Sequence, residues 1–270
     1  MFKELLEGVR KTTPLVHNMT NYVTVNDCAN MVLACGGSPI MADDIDEVED
    51  ITTICQSLVI NIGTLNTRTI ESMIAAGKKA NELNHPVILD PVGVGASRLR
   101  TETVHRLLNE VQFSVIRGNS SEVKTLAVGS GLTQGVDAST TDLVTDENID
   151  QMIVMARALS EKTDAVIAIS GAIDLVVNKE KAYIIRNGHP LMARITGSGC
   201  MLTSVIGAYC GANPSQLIES TAAAITAMGL CGEIAAEKCE GTSSFRMHLI
   251  DAMSTLDSQT LHGGMKVEIK

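Results

Sequence analysis

The feature that most constrains this chain is a repeated alternation of short apolar runs with helix-length amphipathic stretches. Leu58-Val-Ile-Asn-Ile62, Pro86-Val-Ile-Leu-Asp90 and Phe113-Ser-Val-Ile-Arg117 are each the length of one strand, and Ser38–Met41 precedes them as a fourth. Between them lie helical patterns at about 46–56, 67–83 and 101–108. Near-continuous apolar strands alternating with helices predict an α/β fold: a mostly parallel central sheet covered by helices on both faces. From Ala165-Val-Ile-Ala-Ile169 the pattern changes. Asp174-Leu-Val-Val-Asn178 and Lys181-Ala-Tyr-Ile-Ile185, joined by a short polar turn, predict an antiparallel hairpin on the sheet edge.

The flanks are read in the same way. Phe2, Leu5, Leu6 and Val9 share one face of a first amphipathic helix, and residues 14–21 read as a polar turn. A helix over 23–35 is ended by Gly36-Gly37. Beyond Gly197 the chain reads as almost wholly helical, with Thr221–Met228 apolar enough to be buried. No linker, low-complexity tract or repeat interrupts the 270 residues, so a single domain over 1–270 is expected.

Composition narrows the partners. A net charge of −10, with three Phe, three Tyr and no Trp, argues against nucleic acid, which needs clustered cations and stacking rings. An acidic protein can still bind a nucleotide where helix termini, a metal ion and a few placed basic residues supply positive potential. Seven cysteines without CxxC spacing fit a reducing compartment rather than a disulfide scaffold. With no signal peptide and no apolar run read as spanning a bilayer, a soluble cytoplasmic protein without a membrane partner is expected.

In an open parallel sheet, ligands collect at the carboxyl ends of the strands. Three polar clusters stand at such ends. Ile195-Thr-Gly-Ser-Gly-Cys-Met-Leu202 is a Gly-Ser-Gly turn feeding a helix, whose first amides and dipole would stabilise a phosphoryl charge. Cys200 in its first turn would have its thiolate favoured by the same field. A tight turn into a buried helix is the plainer reading. Asp90-Pro-Val-Gly-Val-Gly-Ala-Ser97 sets a carboxylate beside a glycine-rich loop, suited to magnesium or simply to opening a turn. In Arg117-Gly-Asn-Ser-Ser-Glu122, the spacing of Asn119 and Glu122 is that of a capping box. Arg117 could instead reach a nucleotide phosphate, and Glu122 could join Asp90 around a metal. His17 is expected as a loop anchor. Neither a Walker A sequence nor an early GxGxxG is present, which disfavours a dinucleotide oxidoreductase.

Taken in order, these clusters resemble the hydroxyethylthiazole kinase family of the ribokinase-like superfamily. The resemblance rests on Val16-His-Asn-Met-Thr-Asn-Tyr-Val-Thr-Val-Asn26, Ala29-Asn30, Gly36–Ala42, Asn61-Ile-Gly-Thr-Leu65, Asp90–Ala96, Ile116–Glu122 and Thr196–Cys200, and runs from the first helix to about Asp251. It implies a ribokinase-like domain without a lid, assembled as a homotrimer with active sites between subunits. It implies ATP as co-substrate, Mg2+ as cofactor and 4-methyl-5-(2-hydroxyethyl)thiazole as the acceptor alcohol. Carried over by position, Met41 and Gly197 match thiazole-contacting residues, and Arg117 and Ser170 match ATP-contacting ones. Cys200 stands where most ribokinase-like kinases place an aspartate base, and Asp90 and Glu122 would serve the metal, directly or through water. Ser170 replaces the usual Thr and keeps its hydroxyl; Gly241-Thr-Ser-Ser-Phe245 departs from the usual glycine-rich form and is assigned no role.

Overall fold

The structure is a computed structural model that describes residues 2–128 and 143–270. Among these, nine strands form one sheet in the order β2-β1-β3-β4-β5-β6-β7-β8-β9. They are β1 (Leu15–Met19), β2 (Ser38–Ile40), β3 (Ser57–Asn61), β4 (Val87–Asp90), β5 (Val115–Asn119), β6 (Val166–Ser170), β7 (Asp174–Val177), β8 (Ala182–Ile185) and β9 (Val267–Ile269). The first six are mutually parallel and the last three antiparallel. Every residue of β3 and β4 is buried, as strands covered on both faces must be.

Alternate residues of the inner strands feed two separate cores. Val16, Val59, Ile88, Val115 and Val176 pack under one helical layer. It consists of α1 (Phe2–Thr12), α2 (Val25–Cys35), α8 (Ser198–Ala212), α9 (Leu217–Lys238), α10 (Thr242–Thr255) and α11 (Ser258–Gly264). Leu58, Ile60, Leu89, Ile116 and Ile167 face the opposite layer. There lie α3 (Val48–Ile54), α4 (Thr67–Glu82), α5 (Arg98–Glu110), α6 (Ser120–Val128) and α7 (Ile149–Thr163). Period-two alternation thus divides one sheet between two hydrophobic layers. With few rings available, Met31, Met201, Met228, Met253 and many Ala and Val fill the first core.

Three expectations are corrected. Residues 14–21 are not a polar turn: 15–19 form β1, an inner strand between β2 and β3. Its polar side chains bond inside. His17 is fully buried, with Nδ1 2.9 Å from the Thr52 hydroxyl and Nε2 2.9 Å from the Ala42 carbonyl. The carbonyl can only accept, so Nε2 carries the hydrogen and Nδ1 accepts from Thr52. Burial holds His17 below the ordinary imidazole pKa, and it anchors residue 42 from within a strand rather than from a loop. Second, the β7–β8 hairpin is antiparallel as predicted but is not the edge, because β9 near the C-terminus pairs with β8. Third, α9 is long and apolar enough to span a bilayer by composition, against the sequence reading; its most apolar window is 78% buried inside the protein, as befits a core helix.

Candidate active site

The carboxyl ends of the parallel strands converge on one cleft of about 880 Å³. Strand register decides which polar groups meet there. Asn61 at the end of β3 lies opposite Asp90 at the end of β4, and Asn119 of β5 lies opposite Ser170 of β6. Across the cleft stands the N-terminus of α8, with Gly197, Ser198, Gly199 and Cys200 all lining the wall. The first amides of a helix have no carbonyl of their own turn to bond, so they are available to an anion, and the helix dipole adds to their pull.

Two glycines make that wall possible. Gly197 caps α8 in the left-handed region with φ 84°, and a Cβ there would stand 2.6 Å from Cγ2 of Thr24. At Gly199 a Cβ would fall 2.7 Å from a terminal nitrogen of Arg117, so the guanidinium lies directly against the helix start.

Arg117 reaches from β5 to this point. One terminal nitrogen lies 3.6 Å from Oδ2 of Asp90, the other donates to Ser170 Oγ, and Nε is buried without a partner among the described residues. Asp90 is held on one oxygen only: Oδ2 accepts from Asn61 Nδ2 at 2.9 Å and Thr203 Oγ1 at 2.8 Å, while Oδ1 is buried and unpartnered among the described residues. Burial raises the Asp90 pKa despite Arg117 and these two bonds. Glu122 receives the Gly93 amide on Oε1 and the Asn119 amide on Oε2, both at 2.7 Å, and the Asn119 side chain accepts the Glu122 amide at 2.9 Å. The capping-box reading therefore holds, and the same Glu122 lines the cleft. Burial, reinforced by the charge of Asp90, lifts Glu122 to about 7. Asp174, buried at the start of β7 with Oδ1 accepting the Gly171 amide, also rises to about 7 through burial.

Cys200 differs from expectation. Its environment raises the thiol pKa, through burial first and the charge of Asp90 second; polar contacts with Thr24, Asn21 and Asn61 only partly offset this. Desolvation and a nearby anion outweigh the helix terminus, so the sulfur is not an activated thiolate.

Of the sequence-predicted residues, Asp90, Arg117, Glu122, Ser170, Gly197 and Cys200 all line the cleft. Met41 does not. It follows edge strand β2 and packs half-buried against the first core. No group of three or more His, Cys, Asp or Glu suited to a metal occurs among the described residues, so a cation there would rely on water and on a bound ligand. Asn21 and Asn61, quoted above within motifs but given no role, and Thr203, which no motif includes, bond Cys200 or Asp90. Arg100, also without an expected role, bonds the carbonyls of Ile62, Gly63 and Val92 through its guanidinium and so ties together the loops after β3 and β4. Asparagine at a strand's last position was the available signal for Asn61.

Comparison with known proteins agrees with this geometry. The family model described as the hydroxyethylthiazole kinase family matches residues 6–259. A hydroxyethylthiazole kinase of Clostridium acetobutylicum is 58% identical over 271 residues, covering 99% of both chains. The solved structure of the hydroxyethylthiazole kinase protein of Pyrococcus horikoshii OT3 superposes with a TM-score of 0.90 at 31% identity, covering 100% of this chain and 98% of that one. A ribokinase-like superfamily protein of Enterococcus faecalis V583, 12% identical, superposes with a TM-score of 0.63 over 95% of each chain, a likeness of fold alone. With a ribokinase-like α/β sheet and a match across nearly its full length, this chain belongs to the hydroxyethylthiazole kinase family.

Proposed function

We propose that the chain, acting as a single kinase domain, transfers the γ-phosphoryl group of ATP to the primary alcohol of 4-methyl-5-(2-hydroxyethyl)thiazole, giving its phosphate ester and ADP. The observation that carries this reading is the start of α8, where Gly197–Cys200 face a cleft that also holds Arg117 and Asp90. Phosphoryl transfer asks little covalent chemistry of a protein and much positioning and charge stabilisation. The α8 amides would cradle the transferring group while Arg117, anchored by Ser170, meets the ATP phosphates. Cys200 would lie beside the attacking hydroxyl.

Mg2+ fits the residues present. Asp90 keeps one carboxylate oxygen buried and unpartnered among the described residues, and Glu122 keeps a lone pair on each oxygen beyond its amide bond. Asp90 directly and Glu122 through water would hold the ion, which when bound supplies charge neutralisation and orientation of the polyphosphate.

The thiazole would lie against Gly197 and against Met41. The family resemblance implies a homotrimer with active sites between subunits, and Met41, outside the cleft of its own chain, would serve a site at such a boundary. Exposed Tyr22, Val23 and Leu33 around α2, and Met247 on α10, offer apolar surface for such contacts. Seven free cysteines fit a cytoplasmic location. A coupled assay of ADP release tests the reading. Turnover is expected only with the thiazole alcohol, ATP and Mg2+ together; absence of turnover with all three, or equal turnover without the alcohol, overturns it.

A further inference from the structure

The amides around Cys200 can be counted to the last hydrogen. Oδ1 of Asn21 accepts from both the amide and the hydroxyl of Thr24, at 3.2 and 3.1 Å. Oδ1 of Asn61 accepts from the Gly63 amide at 2.9 Å and from Asn21 Nδ2 at 3.0 Å. With each carbonyl oxygen facing two donors, neither side chain can be flipped, and all four N–H bonds are assigned. Asn21 gives one hydrogen to Asn61 Oδ1 and the other to Cys200 Sγ at 3.3 Å. Asn61 gives one to Asp90 Oδ2 and the other to Cys200 Sγ at 3.2 Å.

A neutral thiol has two lone pairs and one hydrogen. Both lone pairs are therefore filled by amide N–H groups, and only the S–H remains to be directed. Thr24 gives its hydroxyl hydrogen to Asn21, and its oxygen receives the S–H of Cys28 at 3.7 Å, so it has no hydrogen to offer the Cys200 sulfur. In the neutral thiol, no lone pair is left on the sulfur to accept a substrate proton.

Resting on the kinase reading above, we propose that Asn21 and Asn61 are positioning residues that hold Cys200 as a hydrogen-bond donor to the acceptor alcohol, and not as its base. With the alcohol bound, the S–H points to one lone pair of the alcohol oxygen and aims the other at the γ-phosphorus. The bond from that oxygen to phosphorus forms as the bond from phosphorus to the β–γ bridging oxygen breaks. ADP carries away the bridging electrons, and the alcohol proton passes to an oxygen of the transferred phosphoryl group. Proton transfer of this late kind suits a loose transition state.

The test combines a substitution series with a double-mutant cycle, all on the full chain with ATP, Mg2+ and the thiazole alcohol. Cys200→Ser keeps a donor but is no base, so its kcat is expected within about tenfold of the native value, well above that of Cys200→Ala. Asn21→Ala is expected to lower kcat by about tenfold with KM for ATP within about twofold, and most of that loss should vanish when Cys200 is already replaced by alanine. Asn61→Ala repeats the cycle should the first variant fold poorly, and thermal unfolding of each variant separates folding from turnover. The proposal is overturned if Cys200→Ser is as slow as Cys200→Ala while native kcat climbs about tenfold per pH unit below a thiol plateau, the mark of a base. It is equally overturned if the Asn21 and Cys200 losses simply add. Failure of the kinase reading is separate and visible: native enzyme would show no turnover at all.

Discussion

Replacing Gly197 by alanine tests whether the start of α8 is held by steric contact. Two costs can be worked from the structure. The backbone at Gly197 has φ 84°, where an L-residue is strained by about 1–2 kcal/mol. The added methyl would sit 2.6 Å from Cγ2 and 3.0 Å from Cβ of Thr24, and both are parts of a short, buried, β-branched side chain with nowhere to turn. Overpacking of that kind costs about 1–3 kcal/mol. Together the loss is about 2–5 kcal/mol, or roughly 5–15 °C in Tm for a chain of this size. Thermal unfolding and urea titration measure it. The second variant, Thr24→Ala, removes the methyl that the new side chain at position 197 would strike, together with one hydroxyl bond to Asn21. Combined with Gly197→Ala it should recover about 1–3 kcal/mol relative to additivity, leaving the φ strain in place. In either background kcat should fall, because the α8 amides move with residue 197. A Gly197→Ala protein within about 0.5 kcal/mol of native stability, or a double variant with purely additive losses, would refute the reasoning.

Cys200→Ala is expected to lower kcat without abolishing it. Cys200→Asp should match or exceed native turnover, because a carboxylate receiving the Asn21 and Asn61 amides keeps acceptor sites free for the alcohol proton; kcat and kcat/KM of both variants check this. Asp174 rises from 3.8 to about 7 on folding, so its contribution is fullest below pH 4 and is lost as pH climbs through 7. At about 1.4 kcal/mol per pH unit this is an upper bound of about 4 kcal/mol, and Asp174→Asn should flatten that part of the stability–pH curve; an unchanged slope in urea titrations from pH 4 to 8 contradicts the assignment. Asp90→Asn should raise the Mg2+ concentration giving half-maximal rate by at least about tenfold, read from Mg2+ titrations at saturating ATP; an unchanged Mg2+ requirement would remove Asp90 from the metal site.

The elements that repeat in sequence were legible because their physics is local. Runs such as 58–62 and 86–90 are apolar throughout since both faces of a parallel strand are covered, and that pattern needs no knowledge of neighbours. The Gly-Ser-Gly turn announces a helix start for the same reason. β1 escaped this reading because Leu15-Val-His-Asn-Met19 carries polar side chains whose partners, Thr52 and the Ala42 carbonyl for His17, arrive from residues 25 and more positions away. β9 escaped because a three-residue edge strand is specified by its pairing with β8 rather than by its own composition.

The sequence by itself determined the α/β alternation, the order of the polar clusters and the glycines at the turn into α8. Only the tertiary structure decided what those clusters do to one another. Register set Asn61 beside Asp90, and the chain's return through α8 brought Cys200 to both asparagines from 139 and 179 residues away. Helix-start chemistry alone favours a thiolate at residue 200. Folding reversed that preference by removing water from the sulfur and setting Asp90 nearby. Burial and distant charges are properties of packing, and no local pattern of residues carries them.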